Sequence, residues 1–247
     1  MTADLTTFAQ RLTEPAPGTT RDDPDALRRR RIVVAVFVVI GAIILGFSLS
    51  AEPGAASFVP MTIALAAAWL IGGFLSGPIR LGRFGWRPPE SETSPKASTG
   101  SASAVGAAAL GIAVGLAVGA AFVLGALITR EIEVLASLVR NVLAFRDEGS
   151  VVLITAITLG NGLAEEIFFR GAVYSAVQKH QPLIWSTLLY ALVTLASGNV
   201  MLGFAAIVLG SVCAVLRRAT DGVLAAICTH VIWGAIILFC LPPIFGT

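Results

Sequence analysis

The sequence has few charged residues and few of the side chains that bind metals or form disulfides. Only 13% of its 247 residues are charged and 56% are hydrophobic, whereas soluble domains contain about 25% charged residues. This composition excludes an ordinary soluble domain, and a net charge of +2 gives no sign of nucleic-acid binding. The three cysteines all lie in apolar runs, which excludes a disulfide framework. The two histidines, His180 and His230, leave little material for a metal site.

Long apolar runs are what the sequence has instead. They cover residues 32–49, 58–74, 104–128, 150–169, 183–196, 200–216 and 223–241. A helix of about 20 apolar residues crosses the hydrocarbon core of a bilayer. We therefore predict an all-α, polytopic membrane helix bundle of about seven transmembrane helices, of which the fifth is short for a full crossing. Residues 130–148 show an amphipathic pattern, which indicates either an interfacial helix or a polar-faced extension of the third span.

Basic residues predict the orientation of this bundle. With a cytoplasmic N-terminus, only three arginines fall on the outer side, at positions 130, 140 and 146. The inner segments then carry Arg28 to Arg31, Arg80, Arg83, Arg87, Lys96, Lys179, Arg217 and Arg218. Because cytoplasmic loops are enriched in Lys and Arg, we predict an integral protein of the plasma (inner) membrane. Its N-terminus is expected in the cytoplasm and its C-terminus outside, with membrane lipids as partners.

Changes in composition divide the chain into four regions. Residues 1–27 are polar and proline-containing, which is typical of a disordered tail. Residues 28–103 hold two transmembrane helices and a basic cytoplasmic loop, 104–149 hold a third span and the amphipathic segment, and 150–247 form a C-terminal core. A cleaved signal peptide is an alternative for the first run, but its long polar leader favours an uncleaved anchor. Glycines 111, 115 and 119 predict close packing of the third span against another helix.

Two adjacent acids stand near the end of the fourth apolar run. A charged side chain at the bilayer centre costs about 2.5–3.5 kcal/mol on insertion scales, so Glu165 and Glu166 are expected to face the interior of the bundle. Glu166 and Arg170 are four residues apart and share a helix face, as do Asn161 and Glu165. Ionisable residues inside a membrane indicate a functional site. The alternative is a structural ion pair between helices.

A histidine lies at a matching depth in the last run. His230 is seven residues, or about 10 Å, into that run, which places it in the cytoplasmic half with the two acids. A carboxylate held charged by Arg170 beside a second, desolvated carboxylate can activate a water molecule. We therefore predict Glu165, Glu166, Arg170 and His230 as catalytic residues. Glu165 and His230 are also candidate ligands for a divalent metal such as zinc.

The segment Glu165-Glu166-Ile167-Phe168-Phe169-Arg170 resembles the E-E-x-x-x-R motif of the CPBP family. This family, also called Abi, comprises intramembrane endopeptidases that include CAAX prenyl-protein proteases and bacteriocin-processing proteins. The resemblance covers about residues 151–241, the C-terminal core. It implies a membrane protease in which the glutamates and two histidines form a water-activating or metal site. Asn161, one turn before Glu165, is a candidate for an additional polar group.

Two positions depart from the family pattern. The second motif, F-x-x-x-H, falls on residues 190–194, where Tyr190 replaces Phe and Thr194 replaces His. The third motif, H-x-x-x-N, begins at His230 but ends at Gly234. The resemblance implies that the missing histidine would bind metal or water and that the missing polar residue would hold the substrate carbonyl. His180 and Cys228 are poor substitutes, since one lies beyond a helix end and the other faces away.

Three functions therefore stay open at the level of the sequence. The first is an endopeptidase that cleaves a membrane-associated peptide or protein with a glutamate-activated, metal-assisted or metal-free water. The second is a catalytically impaired relative that serves as a membrane scaffold, which Thr194 and Gly234 favour. The third is a transporter or proton relay, although no inverted repeat is visible.

Overall fold

The computed structural model describes residues 23–50, 55–84, 103–147 and 149–246. Within these ranges the chain folds into helices, and its only extended pairing is a single bridge between Phe84 and Ser103. The helices are α1 (Pro24–Ser50), α2 (Phe58–Ser76), α3 (Ala104–Thr129), α4 (Glu133–Leu143), α5 (Val151–Ala176), α6 (Pro182–Leu195), α7 (Val200–Thr220) and α8 (Leu224–Phe245). Most of the predicted tail and of the basic loop lies outside the described residues.

The apolar lengths of these helices confirm a polytopic membrane bundle. Six helices of the described chain, α1, α2, α3, α5, α7 and α8, are long and apolar enough to cross a membrane. The predicted fifth span is α6, which has 14 residues and extends only about 21 Å. That length is shorter than the hydrocarbon core of about 30 Å, so the expectation of about seven full crossings becomes six and one shorter apolar helix.

Polar side chains determine where several helices begin. The Ser103, Ser150 and Asn199 side chains accept hydrogen bonds from backbone N–H groups in the first turns of α3, α5 and α7. These are the N-terminal donors that a helix cannot satisfy by itself. Pro182 occupies the first turn of α6, where its missing N–H has no cost. The boundaries predicted from the ends of the apolar runs are therefore close to the observed ones.

The helix α1 starts earlier than predicted, at Pro24, so the last four residues assigned to the tail are helical. Its arginines contact the ends of neighbouring helices. Arg29 donates from Nη2 to the Leu75 carbonyl (3.0 Å), and Arg31 donates from Nε to the Ala176 carbonyl (3.1 Å). Carbonyls in the last turn of a helix have no partner inside it. The basic run that predicted the orientation therefore also caps α2 and α5.

The prolines at the end of the chain do not close the last helix as expected. Pro242 and Pro243 lie inside α8, which continues to Phe245 and ends at Gly246 in a left-handed conformation (φ 71°). Gly246 is suited to this position because a glycine adopts positive φ without steric cost. The predicted end of the last span, residue 241, was therefore one turn too early.

The segment after α3 forms a separate short helix. A turn over residues 130–132 divides α3 from α4, and a 3₁₀ turn, Ala144–Asp147, follows α4. Ala136 and Leu143 of α4 are buried against Leu241 and Phe245 of α8. This arrangement excludes the alternative that 130–148 extends α3, and its location in the membrane interface stays a prediction.

The glycine stripe of α3 packs closely against α8, as predicted. Gly111, Gly115 and Gly119 are all buried. A Cβ atom added at Gly115 would lie 2.9 Å from the Ile232 Cβ atom, a distance that real Cβ atoms do not reach. Thr229 Oγ1 donates a hydrogen bond of 2.9 Å to the Gly111 carbonyl across this contact. Small side chains thus let the two backbones approach each other.

Candidate active site

The two acids lie at a change of helix type within α5. The helix is α-helical from Val151 to Glu166 and π-helical from Ile167 to Val173. A π-helical turn has wider i→i+5 hydrogen bonding and is frequent at functional sites. In this turn the Arg170 carbonyl accepts a hydrogen bond of 2.9 Å from Arg217 Nε of α7. A neighbouring helix therefore supports the turn that carries the arginine of the site.

Glu166 is a buried carboxylate with two cationic or polar partners. Its side chain and that of Arg170 are completely buried. Glu166 Oε1 accepts a hydrogen bond of 3.1 Å from Arg170 Nη1 and one of 2.8 Å from His230 Nδ1. A buried charge is tolerated when it is paired and hydrogen-bonded in this way. Glu166 thus joins the π-helical turn of α5 to the imidazole of α8.

Glu165 has a different environment from its neighbour. Its side chain is 19% exposed, and Oε2 accepts a hydrogen bond of 2.7 Å from the Tyr190 hydroxyl of α6. The same oxygen lies 3.9 Å from His230 Nε2. This separation is too long for a direct hydrogen bond, but a single water molecule can bond to both atoms. Glu165 is therefore the more exposed of the two acids.

The imidazole fits against α5 because one residue there has no side chain. A Cβ atom added at Gly162 would lie 3.0 Å from His230 Cδ2 and 3.3 Å from Nε2. The ring of Trp233 meets the imidazole edge to face, with centroids 5.7 Å apart. The ring of His230 is thus held between α5 and its own helix, with Nδ1 on Glu166 and Nε2 toward Glu165.

Aromatic side chains pack around the cluster. Phe168 and Phe169 are fully buried, and the Phe169 ring lies 4.8 Å from that of Tyr190. The Arg170 guanidinium lies over the Tyr190 ring at 4.8 Å. Charges in such a shell interact more strongly than they do in water. The carboxylates therefore have few alternatives to the partners observed.

All four residues predicted for catalysis, Glu165, Glu166, Arg170 and His230, come together in this cluster. The two residues judged poor substitutes lie apart from it. His180 is exposed in the turn between α5 and α6, and the Cβ atom of Cys228 faces Gly111 of α3. The prediction from matched depth, that His230 lies close to the two acids, agrees with these distances. The catalytic roles of the four residues stay a prediction.

Thr194 and Asn161, and the position of Gly234 where the family motif has a polar residue, offer no free hydrogen-bond donor to the cluster. Thr194 Oγ1 donates to the Tyr190 carbonyl of its own helix (2.9 Å). Gly234 faces Leu159, whose Cδ2 atom would lie 3.6 Å from an added Cβ atom. Asn161 Nδ2 donates to the carbonyls of Thr62 (3.1 Å) and Ile157 (2.8 Å). Both N–H groups of Asn161 are thus used in packing, whereas its buried Oδ1 has no hydrogen-bond partner among the described residues. Its role as an additional polar group stays a prediction.

Two residues of the site were not predicted from the sequence. Tyr190 was visible only as a departure from a motif, and Gly162 only as a glycine one turn before the acids. Helical spacing could have identified Gly162, which lies three and four residues before Glu165 and Glu166, on the same helix face. Neither spacing nor composition indicates that a hydroxyl on α6 reaches Glu165.

An apolar cavity of about 310 Å³ lies apart from this cluster. It is enclosed by α3, α4, α7 and α8, with Phe122, Val139, Phe204 and Trp233 among its lining residues. None of the acids contributes to it, and Trp233 is the residue that separates it from His230. The acidic cluster therefore lies outside this cavity, where α5 meets α6 and α8.

The donor set can be compared with that of a catalytic zinc site. The available pair is Glu165 Oε2 and His230 Nε2, which are 3.9 Å apart. Tetrahedral zinc places such ligand atoms about 3.4 Å apart and usually has three protein ligands. No group of three His, Cys, Asp or Glu side chains with metal-binding geometry occurs among the residues that the structure describes. This pair is one ligand short of a typical catalytic zinc site, and metal binding by Glu165 and His230 stays a prediction.

Comparisons with known proteins agree with the position of the site. Residues 147–236, which are 90 of the 247, match the family model described as type II CAAX prenyl endopeptidase Rce1-like. The matched segment begins just before α5 and extends past His230, so it contains every side chain of the cluster. No curated protein and no solved structure matches the chain.

Proposed function

We propose that this chain is an active intramembrane endopeptidase, because residues 147–236 match the family model described as type II CAAX prenyl endopeptidase Rce1-like. It hydrolyses a membrane-associated peptide or protein with a water molecule that Glu165 activates. The observation that carries this proposal is the gap of 3.9 Å between Glu165 Oε2 and His230 Nε2. A reactive water fits there, between a partly exposed carboxylate and an imidazole that Glu166 fixes in place.

The chemistry requires one proton acceptor and one water. Glu165 takes a proton from the water as its oxygen forms a bond to the scissile carbonyl carbon. His230, which Glu166 holds by Nδ1, stabilises the resulting oxyanion with Nε2. When the C–N bond breaks, Glu165 returns its proton to the leaving amine, so that a carboxylic acid and a free amine are released. Each group then has its original charge.

Glu166 and Arg170 act as a support for these steps. The ion pair between them is completely buried, and Glu166 holds the imidazole by Nδ1. Neither side chain has access to water, in contrast to Glu165. We assign Glu166 to orienting His230 and Arg170 to holding the charge of the carboxylate pair.

Binding of a divalent metal such as zinc by Glu165 and His230 is a separate proposal. If a divalent ion is present, Glu165 and His230 hold it, and it supplies a Lewis acid for the water and the carbonyl. The expected result of metal analysis on purified protein is then one equivalent per chain, lost in His230→Ala. A wild-type protein with no bound metal and full cleavage activity would contradict this proposal and leave the glutamate mechanism intact.

A scaffold without catalytic activity is the second candidate. Two positions where the family motif has His and a polar residue favour it. Thr194 uses its hydroxyl on its own helix, and Gly234 has no side chain. A scaffold requires the fold and its buried ion pair but not the water-accessible Glu165. Retention of partner binding together with absence of cleavage in the wild-type protein would favour this candidate.

The decisive experiment compares two glutamates of different exposure. Purified protein in liposomes is incubated with a farnesylated peptide ending in a C-a-a-X sequence, and with a membrane-tethered protein reporter. We expect Glu165→Gln to reduce cleavage at least about a hundredfold because the general base is lost. The control is Glu133→Gln, which changes an exposed acid of α4 paired with Arg140. Wild-type rates in Glu165→Gln would overturn the proposal.

The site is proposed to face the cytoplasm of a plasma-membrane protein. The support for this orientation is the distribution of basic residues, which the positive-inside rule relates to the cytoplasmic side. His180 lies in the exposed turn at the same end of the bundle as the end of α5. In a cysteine-free background, His180→Cys is expected to react with a membrane-impermeant maleimide only after the cells are opened. Labelling of intact cells would reverse the orientation.

A further inference from the structure

We propose that Tyr190 is a positioning residue that fixes the carboxylate of Glu165 in the orientation needed to activate water. The proposal rests on the function proposed above and adds to it a role for Tyr190. Its basis is the hydrogen bond of 2.7 Å that the Tyr190 hydroxyl donates to Glu165 Oε2.

The two acids differ in how their carboxylates are held. Glu166 has two hydrogen bonds, from Arg170 and from His230, and no exposed surface. Glu165 is partly exposed, and within the described chain its side chain accepts one hydrogen bond, which comes from Tyr190. A carboxylate with a single partner owes its orientation to that partner. The Tyr190 hydroxyl therefore determines which way the reactive acid points.

The Tyr190 ring is itself held by two neighbouring side chains. It is 7% exposed, and it packs against Phe169 at 4.8 Å between centroids. The Arg170 guanidinium lies 4.8 Å from its centroid, a distance at which a cation is attracted to an aromatic ring. Because Arg170 also binds Glu166, the ring that orients Glu165 rests on the ion pair of the neighbouring acid. Both acids are thus positioned by one connected set of contacts.

Two polar groups close to this hydrogen bond do not make it themselves. Thr194, one turn further along α6, uses its hydroxyl on the Tyr190 carbonyl. His230 Nε2 is 3.9 Å from the same carboxylate oxygen, beyond hydrogen-bonding distance. Loss of the hydroxyl therefore leaves Glu165 free to rotate toward solvent. A displacement of about 1 Å in a reacting group can reduce a rate about a hundredfold.

The test removes the hydroxyl and keeps the ring. In Tyr190→Phe we expect kcat for the farnesylated peptide to fall about ten- to a hundredfold with KM unchanged, because the substrate contacts are retained. The matched control is Tyr174→Phe, which changes the other tyrosine of the chain. Its ring also lies near a guanidinium, that of Arg217 at 5.0 Å, and makes no contact with the acids. The control is expected to keep wild-type kcat and KM.

The outcomes separate this inference from the proposed function. Wild-type kcat in Tyr190→Phe, together with inactive Glu165→Gln, overturns the role of Tyr190 alone. A rise in KM at constant kcat also overturns it, because the hydroxyl would then serve substrate binding. Full activity of Glu165→Gln overturns the proposed function instead.

A second measurement needs no cleavage. Thermal unfolding is compared for wild type, Tyr190→Phe, Glu165→Ala and the double variant. We expect the change caused by Tyr190→Phe to disappear when Glu165 is already Ala, since the two residues share one hydrogen bond. Strictly additive changes would overturn the contact and with it the inference.

Discussion

Two adjacent residues of α8 take part in opposite kinds of helix contact. Thr229 faces α3, where the glycines 111, 115 and 119 let the backbones approach. His230 faces α5, where a buried carboxylate accepts its Nδ1–H. We call the first contact the glycine seam and the second the charged seam. Helices in a bilayer gain little from the hydrophobic effect on associating, so either shape or hydrogen bonding must hold them.

The difference between the seams shows where function can be located. The glycine seam is made mainly of apolar atoms and backbone, and the Thr229 hydroxyl in it is bonded to the Gly111 carbonyl. The charged seam must keep ions out of lipid, and it does so by pairing Glu166 with Arg170 and His230. Glu165, at the edge of that seam, is the more exposed of the two acids, and we propose that it is the one that reacts with water. The chemistry is therefore at the edge of the charged seam rather than at its centre.

The largest expected effect on stability comes from changing Glu166, at the centre of the charged seam, and is compared with the same change of Glu165 at its edge. Glu166→Gln leaves Arg170 buried without its counter-charge, which we expect to reduce the free energy of unfolding by about 3–5 kcal/mol. Glu165→Gln is the control, since a glutamine oxygen still accepts the Tyr190 hydroxyl. Thermal unfolding in detergent measures both. Equal unfolding temperatures for the two variants would show that Glu166 contributes no more to stability than Glu165 does.

The glycine seam is expected to fail by overpacking. Gly115→Leu adds atoms where even a Cβ would lie 2.9 Å from Ile232 Cβ, and we expect a loss of about 1–3 kcal/mol in the free energy of unfolding. Gly125→Leu, in the same helix, is the matched control because an added Cβ there meets nothing within 4 Å. The same unfolding measurement applies. A Gly115 variant as stable as its control would mean that α3 and α8 are further apart.

A smaller change should affect the rate more than the stability. Gly162→Ala places a methyl group 3.0 Å from His230 Cδ2, so the imidazole must shift, and we expect cleavage to fall about tenfold. Gly160→Ala adds the same methyl group one half-turn away, with nothing within 4 Å. Initial rates on the farnesylated peptide measure both variants. Equal rates in Gly162→Ala and Gly160→Ala would show that the position of His230 does not affect the reaction.

The smallest effect is expected for the one hydrogen bond of the glycine seam. Thr229→Val removes the donor to the Gly111 carbonyl at 2.9 Å, and such bonds between membrane helices contribute about 0.6 kcal/mol. Ser211→Ala is the control, because that exposed hydroxyl bonds only to its own helix. Unfolding of the two variants in detergent gives the comparison. A loss of several kcal/mol in Thr229→Val would show that hydrogen bonding, rather than shape, holds this seam.

The features of the fold that depend on composition were predictable. Apolar runs of bilayer length are a property of the chain alone, so the spans and the connections between them follow from hydropathy. The site was predictable for a related reason: charge inside an apolar run is costly, so Glu165 and Glu166 had to face partners. Helical spacing then selected Arg170, and equal depth selected His230.

The features that depend on neighbouring helices were not predictable. The π-helical turn around Arg170 is supported by Arg217 of α7, which is 47 residues further along the chain. The hydrogen bond from Tyr190 to Glu165 requires the relative rotation of α5 and α6. Asn161 was placed on the correct face, but its amide is used by Thr62 of α2. A sequence shows which side chains share a face but not how far each reaches.

The most direct test of the account is whether the acidic face of α5 meets the imidazole face of α8. In a background without native cysteines, Glu165→Cys and His230→Cys are combined and treated in the membrane with a short bifunctional thiol reagent, because the contact joins the tips of two long side chains and a direct disulfide needs Cα atoms within about 7 Å. The account predicts efficient cross-linking of this pair and none for Leu163→Cys with His230→Cys, since Leu163 is an exposed residue of the same helix. Cross-linking through position 163 and not through position 165 would contradict the account, because the acids would then face lipid.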